Sequence, residues 1–554
     1  MRLTLIGIAS KYIHQCLAPW CLKAGLAQYG VDMPCRVLEL SINQPLHEAI
    51  ARLMDTKPEL AGFSCYIWNI GMVRSLAACL KLLSPETVIV LGGPEAGSRP
   101  DSIFREIPQA DYVITGPGEY AFAELCKRLD ARQDAGDIPG LAYRRGGSIR
   151  ANPPAPMPLS PPPPHTRECL ESLNGRIIYA ETSRGCPFHC AFCLSGQDEA
   201  VTFLPIAQAK EALLTAAASG AKTVKLVDRT FNCHRERAYE LFRFLIEKHK
   251  EGALGGVCFH FEVAADLMDR DTLELLHTAP PGLFQMEAGL QSFHAQSLAA
   301  CQRKTDLGKL CENIAILLSG QNIHLHLDLI AGLPYEDFAT FGESVNKAVS
   351  LAPHMLQLGF LKLLHGSRLR EQREEFGILN TPDPPYEVIK TKWLSFEDIC
   401  RLKKCENAVE RLYNSGKFRR TLDLAFRLGP ISPFDLFCRI GEVFASQAGG
   451  LSLDECTEMA FSFLRQLPGI PPKALRDAMA FDRLANDSSG RLPDCLNVHD
   501  ERLGRALSAL RRAHPPGARL GAVILYDGGE RLLCADYAHR HPVTGEYATS
   551  IHPL

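Results

Sequence analysis

Residues 181–193 read Glu-Thr-Ser-Arg-Gly-Cys-Pro-Phe-His-Cys-Ala-Phe-Cys, which sets Cys186, Cys190 and Cys193 in a C-x3-C-x2-C array. Three thiols so close together stand out even in a chain with 20 cysteines among 554 residues. Thiolates are soft ligands that suit zinc or an iron–sulfur cluster. A structural zinc site closes four ligands, usually as two pairs, and the next cysteine, Cys233, is far along the chain and has no partner of its own. Three cysteines leave one iron of a cubane open to another ligand. His189, inside the array, is the alternative fourth ligand for zinc, and three unrelated buried thiols are a further alternative.

Working outward toward the C-terminus, β and α segments alternate from about residue 177 to 364. Residues 259–264 put His260 and Glu262 on one face of a strand, with apolar residues between them. Residues 284–292 do the same with Gln285, Glu287 and Gln291, and residues 324–334 with His324, His326 and Asp328. A strand has period two, so each shows one polar and one apolar face. With helices between the strands, the polar faces are expected to converge inside a barrel-like sheet. His324 and His326 are expected to be structural or substrate-facing rather than metal ligands.

Toward the N-terminus, residues 153–164 hold eight prolines in twelve positions. Proline fixes φ and removes an amide donor, so this stretch is expected to be an extended linker. Ahead of it, apolar runs at 3–8, 35–40, 59–68, 87–95 and 111–119 alternate with helical patterns at 16–30, 72–83 and 121–129. That alternation predicts a parallel, doubly wound sheet. Such sheets bind ligands beyond the carboxyl ends of their strands, where the turns Gly92-Gly93-Pro94-Glu95 and Gly116-Pro117-Gly118-Glu119 fall. Beyond about residue 393 the pattern is mostly helical, with amphipathic segments at 401–416 and 456–467 and a hairpin at 521–537.

The whole-chain figures narrow the class. Sixty Lys and Arg against 63 Asp and Glu give a net charge of −3, which argues against a general nucleic-acid binder. No apolar stretch approaches the ~18–20 residues that cross a bilayer. The first fourteen residues carry one Arg and a short apolar run without a cleavage site, so a buried first strand is expected rather than a leader. The cysteines lack disulfide-scaffold spacing, and a reducing cytoplasm is expected.

The segment Cys186-Pro187-Phe188-His189-Cys190-Ala191-Phe192-Cys193 resembles the signature of radical S-adenosylmethionine (SAM) enzymes, including the aromatic Phe192 before the last cysteine. The resemblance implies a partial (β/α)6 barrel in which the three cysteines hold a 4Fe–4S cluster. The open iron is chelated by SAM, and the reduced cluster cleaves SAM to methionine and a 5′-deoxyadenosyl radical. It also implies SAM contacts at Asp228 and Arg229, Glu262, Gln291, and around Ile330 and Gly332. For each of these, a satisfied polar or packing residue of the barrel is the alternative.

The N-terminal half resembles the cobalamin-binding domain of one large class of these enzymes. Its Gly92, Gly93, Pro94, Glu95, Gly116, Gly118 and Glu119 occupy the turns where that class carries its glycine motifs. Residues 9–14 and 62–69 resemble a bacterial subfamily of uncharacterised function with an extra C-terminal domain. Pro117 replaces the usual acidic residue, and the D-x-H-x-x-G motif that supplies a histidine to cobalt in many cobalamin proteins is absent. His14 is expected to be a surface or packing histidine. The division implied is 1–150 cobalamin-binding, 151–170 linker, 171–392 barrel and 393–554 mostly helical. The function implied is a cobalamin-dependent radical SAM enzyme that methylates or rearranges an unknown substrate, with a flavodoxin or ferredoxin as electron donor. The alternatives are a methylthiotransferase, for which Cys16, Cys21, Cys35, Cys65 and Cys79 lack cluster spacing, and a non-catalytic cobalamin- or zinc-binding protein.

Overall fold

The computed structural model describes residues 1–554 except 159, 174, 197–199, 448 and 516–517; position 159 of the proline-rich stretch is therefore outside the described residues. The described residues form two compact units. The first is Met1–Met268 with Cys301–Arg303 and Lys362–Val388, and the second is Asp269–Ala300 with Lys304–Leu361 and Ile389–Leu554. Among the described residues no helix is long and apolar enough to cross a membrane.

The first unit opens with β1 (Leu3–Ala9), β2 (Cys35–Ser41), β3 (Leu60–Ser64), β4 (Val88–Gly92) and β5 (Tyr112–Ile114), followed by β6 (Leu141–Arg145) and β7 (Ser148–Ala151). The sheet order is β2-β1-β3-β4-β5-β6-β7, and β1 to β5 pair in parallel. Alternation along the strands loads both faces. Leu3, Leu5, Leu60 and Val90 pack with Phe122 and Leu125 on one side. Ile6, Ile8, Ala61, Phe63, Ile89 and Leu91 pack with Leu53, Val73 and Leu76 on the other. This is the expected doubly wound sheet, its apolar strands buried by helices on both sides.

Two features of this sheet go beyond the sequence reading. Helix Leu46–Asp55 fills the crossover between β2 and β3. β6 and β7 are antiparallel to their neighbours. Their turn is Gly146-Gly147, with φ of 58° and 78°, the geometry of a two-residue turn that demands positive φ at both positions. The Arg-Arg-Gly-Gly-Ser sequence carries that signal.

After the proline-rich stretch, the first unit adds three parallel strands in the order Ile178–Ala180, Thr223–Leu226, Cys258–Val263. Helices Ile206–Ala217 and Arg235–Lys250 lie between them in sequence.

The second unit contains three further parallel strands, Phe284–Gln291, His324–Ala331 and Met355–Phe360. The first of them alternates buried Phe284, Met286, Ala288 and Leu290 with less buried Gln285, Glu287, Gly289 and Gln291, as its period-two pattern predicts. From Phe396 onward the unit is helical. Helix Phe396–Ala408 runs into a π-helical turn, Val409–Asn414, and helix Leu453–Leu464 carries a Ser452–Glu455 capping box. The expected hairpin pairs Leu520–Leu525 with Arg531–Arg540, and a third strand, Tyr547–Pro553, joins it.

Candidate active site

A cavity of about 650 Å³ lies in the first unit. Its N-terminal wall is made by Ile8–Ser10 after β1, Ser64 and Tyr66 after β3, Gly92 and Gly93 after β4, and Gly116–Glu119 after β5. β1 pairs with β2 on one side and β3 on the other, so the strand order reverses there. Crevices at the carboxyl ends of such reversal points are where open α/β sheets bind ligands.

Glycine clears this wall. Gly93 has φ 94°, and a Cβ there would stand 2.7 Å from the Cys65 carbonyl oxygen. A Cβ on Gly118 would come 3.1 Å from Leu22. Close packing against Cys65 and Leu22 thus requires glycine at both turns. Tyr66 and Trp68 also line it, their rings stacked 4.4 Å apart at 7°. Trp68 donates its Nε1–H to Ile8 O at 3.1 Å.

The opposite wall comes from Tyr179, Glu181, Ser183–Gly185, Lys225–Val227, Arg229 and Glu262. Tyr179 and Lys225 are register partners on adjacent strands, so their side chains share a face. The Tyr179 hydroxyl is 2.8 Å from His14 Nδ1, and burial, with Cys16 and Glu262 nearby, pushes the phenol up to about 12. His14 itself lines the cavity. Burial first, then Lys225 and Lys11, lower its pKa. The expected surface or packing histidine is thus a cavity residue; its distance from the motifs in sequence concealed it.

The cysteine loop is tied at several points. Ala191 N–H donates to Cys301 O at 2.8 Å and Leu369 N–H to Ala191 O at 2.8 Å. Each sulfur has a polar neighbour. Arg303 Nη1 approaches Cys190 Sγ at 3.7 Å, Ser195 N–H donates to Cys193 Sγ at 3.3 Å, and Thr230 Oγ1 is 3.4 Å from Cys186 Sγ. Burial raises the Cys190 thiol pKa, opposed by Arg303. His189 points its Nδ1 at Gly196 O, 2.6 Å away. Among the described residues no group of three or more His, Cys, Asp or Glu side chains is gathered in metal-holding positions. The fit of this loop to a cluster lies in its donor set: three soft thiols, two of them buried, with N–H donors aimed at the sulfurs of Cys190 and Cys193, as stabilises cluster sulfur.

The other sequence candidates divide. Arg229 and Glu262 line the cavity. Asp228 does not; it is 1% exposed, and its carboxylate accepts from Thr182 N–H at 2.8 Å, Thr182 Oγ1 at 2.6 Å and Ser183 Oγ at 2.6 Å. Burial raises its pKa against those bonds. Asp228 thus anchors the strand leading into the cysteine loop. Pro94 and Glu95 also lie outside the lining. Glu95 Oε1 accepts from Arg99 Nη2 at 2.7 Å and from the Tyr386 hydroxyl at 2.5 Å. Phe192 is part-buried beside the array.

In the second unit, Gln291 ends its strand with φ 71°, and Gly332 follows Ile330 and Ala331 with φ 95°. The end of the first strand and helix Phe338–Ser350 are both tied to Glu336. Its Oε1 accepts from Ser292 Oγ at 2.6 Å and Ser344 Oγ at 3.1 Å, and burial pushes its carboxyl up to about 7. The acidic pair Glu336-Asp337 after Leu333-Pro334-Tyr335 gave no chemical signal in the sequence.

Three families match the chain: B12 binding domain over residues 3–126, radical SAM superfamily over 180–348, and a protein of unknown function (DUF4080) over 374–513. The chain is 28% identical over 352 residues to the cobalamin-dependent radical SAM methyltransferase TokK of Streptomyces tokunonensis, covering 60% of this chain and 51% of TokK. It is 27% identical over 317 residues to 2-(S-pantetheinyl)-carbapenam-3-carboxylate methyltransferase of Streptantibioticus cattleyicolor, covering 54% and 46%. The chain thus spans about half the length of these relatives. Among solved structures, the cobalamin-dependent radical enzyme OxsB with aqua-cobalamin and SAM superposes at TM-score 0.60, with 14% identity, over 86% of this chain and 78% of that one. The methyltransferase TsrM of Kitasatospora setae superposes at 0.56, with 19% identity, over 69% and 76%; both show a shared fold. These domains bring with them a 4Fe–4S cluster, SAM and cobalamin as cofactors. With a B12-binding domain ahead of a radical SAM domain that carries the three-cysteine array, the chain belongs to the B12-binding-domain radical SAM enzymes.

Proposed function

We propose that the chain is a cobalamin-dependent radical SAM methyltransferase. The observation that carries this reading is the single cavity on which the glycine turns of the doubly wound sheet and the residues leading into the cysteine loop both open. A radical must be made and used out of contact with water, and a methyl donor and a radical source have to face one space.

Within this reading Cys186, Cys190 and Cys193 hold the cluster. Gly92, Gly93, Gly116, Gly118 and Glu119 cradle cobalamin, and Tyr66 and Trp68 offer it a flat aromatic face. Arg229 and Glu262, which line the cavity, orient SAM. When bound, the cluster supplies the electron that cleaves SAM and cobalamin supplies the methyl carrier. Arg303, beside Cys190, places positive charge next to the cluster sulfur. Residues 1–150, 171–392 and 393–554 are proposed as the three domains. A flavodoxin or ferredoxin is the proposed electron donor. A reducing cytoplasm is the proposed location, since the 20 cysteines lack disulfide-scaffold spacing.

Incubating the anaerobically reconstituted protein with SAM, hydroxocobalamin and a low-potential reductant tests the reading. Formation of 5′-deoxyadenosine together with cobalamin-dependent S-adenosylhomocysteine, both lost in Cys190→Ala, is the expected result. Deoxyadenosine alone, unchanged by omitting cobalamin, overturns the methyltransferase assignment.

A further inference from the structure

Arg184 stands two residues before Cys186. Its Nη2 lies 2.7 Å from Glu119 Oε1, at the end of the turn after β5, and 2.7 Å from Glu181 Oε2. The Arg184 and Glu119 side chains are 15% and 5% exposed, and all three residues line the cavity. One guanidinium therefore joins the B12-binding domain to the loop that carries the cluster cysteines.

We propose that Arg184 is a positioning residue that couples the cobalamin site to the cluster site through Glu119. The inference rests on the function proposed above and goes one step beyond it. Glu119 has little room to move. A Cβ on Gly25 of the neighbouring helix would come 2.9 Å from Glu119 Cβ, so the glutamate packs against bare helix backbone. On the other side only Gly185 separates Arg184 from Cys186, and Gly185 has φ 88°, where a Cβ would stand 2.9 Å from the Ala200 carbonyl oxygen. A shift of the turn Gly116–Glu119 would either carry the guanidinium, and with it the start of the cysteine loop, or leave a buried carboxylate without its cation. The second course is costly in a low-dielectric site. Whatever orders the turn therefore orders the cysteine loop, and by thermodynamic reciprocity the cluster favours the turn geometry that receives cobalamin.

The test is a titration of hydroxocobalamin, followed by absorbance, into protein with its cluster and into the same protein after anaerobic removal of iron. The wild type is expected to bind about tenfold more tightly with the cluster, within the usual range of coupling between sites. Glu119→Gln, which keeps shape and removes charge, and Arg184→Gln are expected to bring the ratio close to one; Arg184→Lys is expected to keep part of it. The low-temperature EPR signal of the reduced cluster, recorded with and without cobalamin, should change in the wild type and stay fixed in Glu119→Gln. Glu119→Gln carries the test if Arg184→Gln does not accumulate. Equal affinities in the two wild-type states, or a ratio untouched by Glu119→Gln, overturn the coupling. A wild type that binds no cobalamin in either state overturns the proposed function itself.

Discussion

The turns Gly92–Glu95 and Gly116–Glu119 each follow a parallel strand, each run into a helix and each end in a buried glutamate, yet their carboxylates face different surroundings. Glu95 turns away from the cavity and receives Arg99 and Tyr386. Glu119 faces the cavity and receives Arg184 from the residues just before the cysteine array. The shared backbone plan sets where the glycines go. The partner supplied by a distant part of the chain sets what the acid does. The first glutamate locks its own domain to the segment Lys362–Val388, and the second links the two cofactor-bearing parts of the first unit.

The glycines give the largest contrast. Gly93→Ala places a Cβ 2.7 Å from a backbone oxygen at φ 94°, and should cost about 4 kcal/mol, combining backbone strain with a clash that cannot relax. Gly116→Ala is also strained, at φ 72°, but meets only the Pro154 side chain, at 3.1 Å, and should cost about 2 kcal/mol. Thermal midpoints of the two variants compare them directly, and equal losses would break the distinction.

A third buried glutamate sharpens the role of the cation. Glu336 is held by serine hydroxyls, and burial moves its carboxyl from an ordinary 4.5 up to about 7. The folded state therefore holds the proton more tightly than the unfolded chain. The resulting stabilisation is fully present below about pH 4.5 and is lost as pH rises through 7, by up to roughly 3 kcal/mol. Denaturant titrations across that window should slope downward with pH in the wild type and flatten in Glu336→Gln.

Between the two turns themselves, Glu95→Gln should lower stability by about 2 kcal/mol, since it leaves Arg99 with only the partly exposed Glu106 as an anionic partner. Glu119→Gln should cost about 1 kcal/mol, because Arg184 retains Glu181, while weakening cobalamin binding about tenfold in the cluster-loaded protein. Tyr386→Phe, which removes one hydrogen bond to Glu95, should cost about 1 kcal/mol and leave cobalamin affinity unchanged. A reversed order between Glu95→Gln and Glu119→Gln in the cobalamin titration would overturn the contrast.

The chemistry encoded by close spacing was legible in the sequence. The C-x3-C-x2-C array, the glycine turns after β4 and β5, and the period-two strands need only neighbours along the chain. What required the folded chain was pairing over distance. Asp228 and Arg229 are adjacent, yet one is closed around Thr182 and Ser183 and the other lines the cavity, a division set by which side of the strand end each leaves. His14 meets Tyr179 across 165 positions, and Arg184 meets Glu119 across 65. No periodicity reports such pairs. The β6–β7 hairpin is a different case: the Gly146-Gly147 signal was present but was overshadowed by the parallel pattern ahead of it.

One chain is proposed to hold a cluster and cobalamin around one cavity. Quantifying iron, sulfide, zinc and cobalt on a single anaerobic preparation reconstituted with iron, sulfide and hydroxocobalamin, beside Cys190→Ala, tests it most directly. About four irons with matching sulfide and stoichiometric cobalt are expected in the wild type, with the iron lost in the variant. Zinc in place of iron, or a full complement of iron without cobalt, would contradict it.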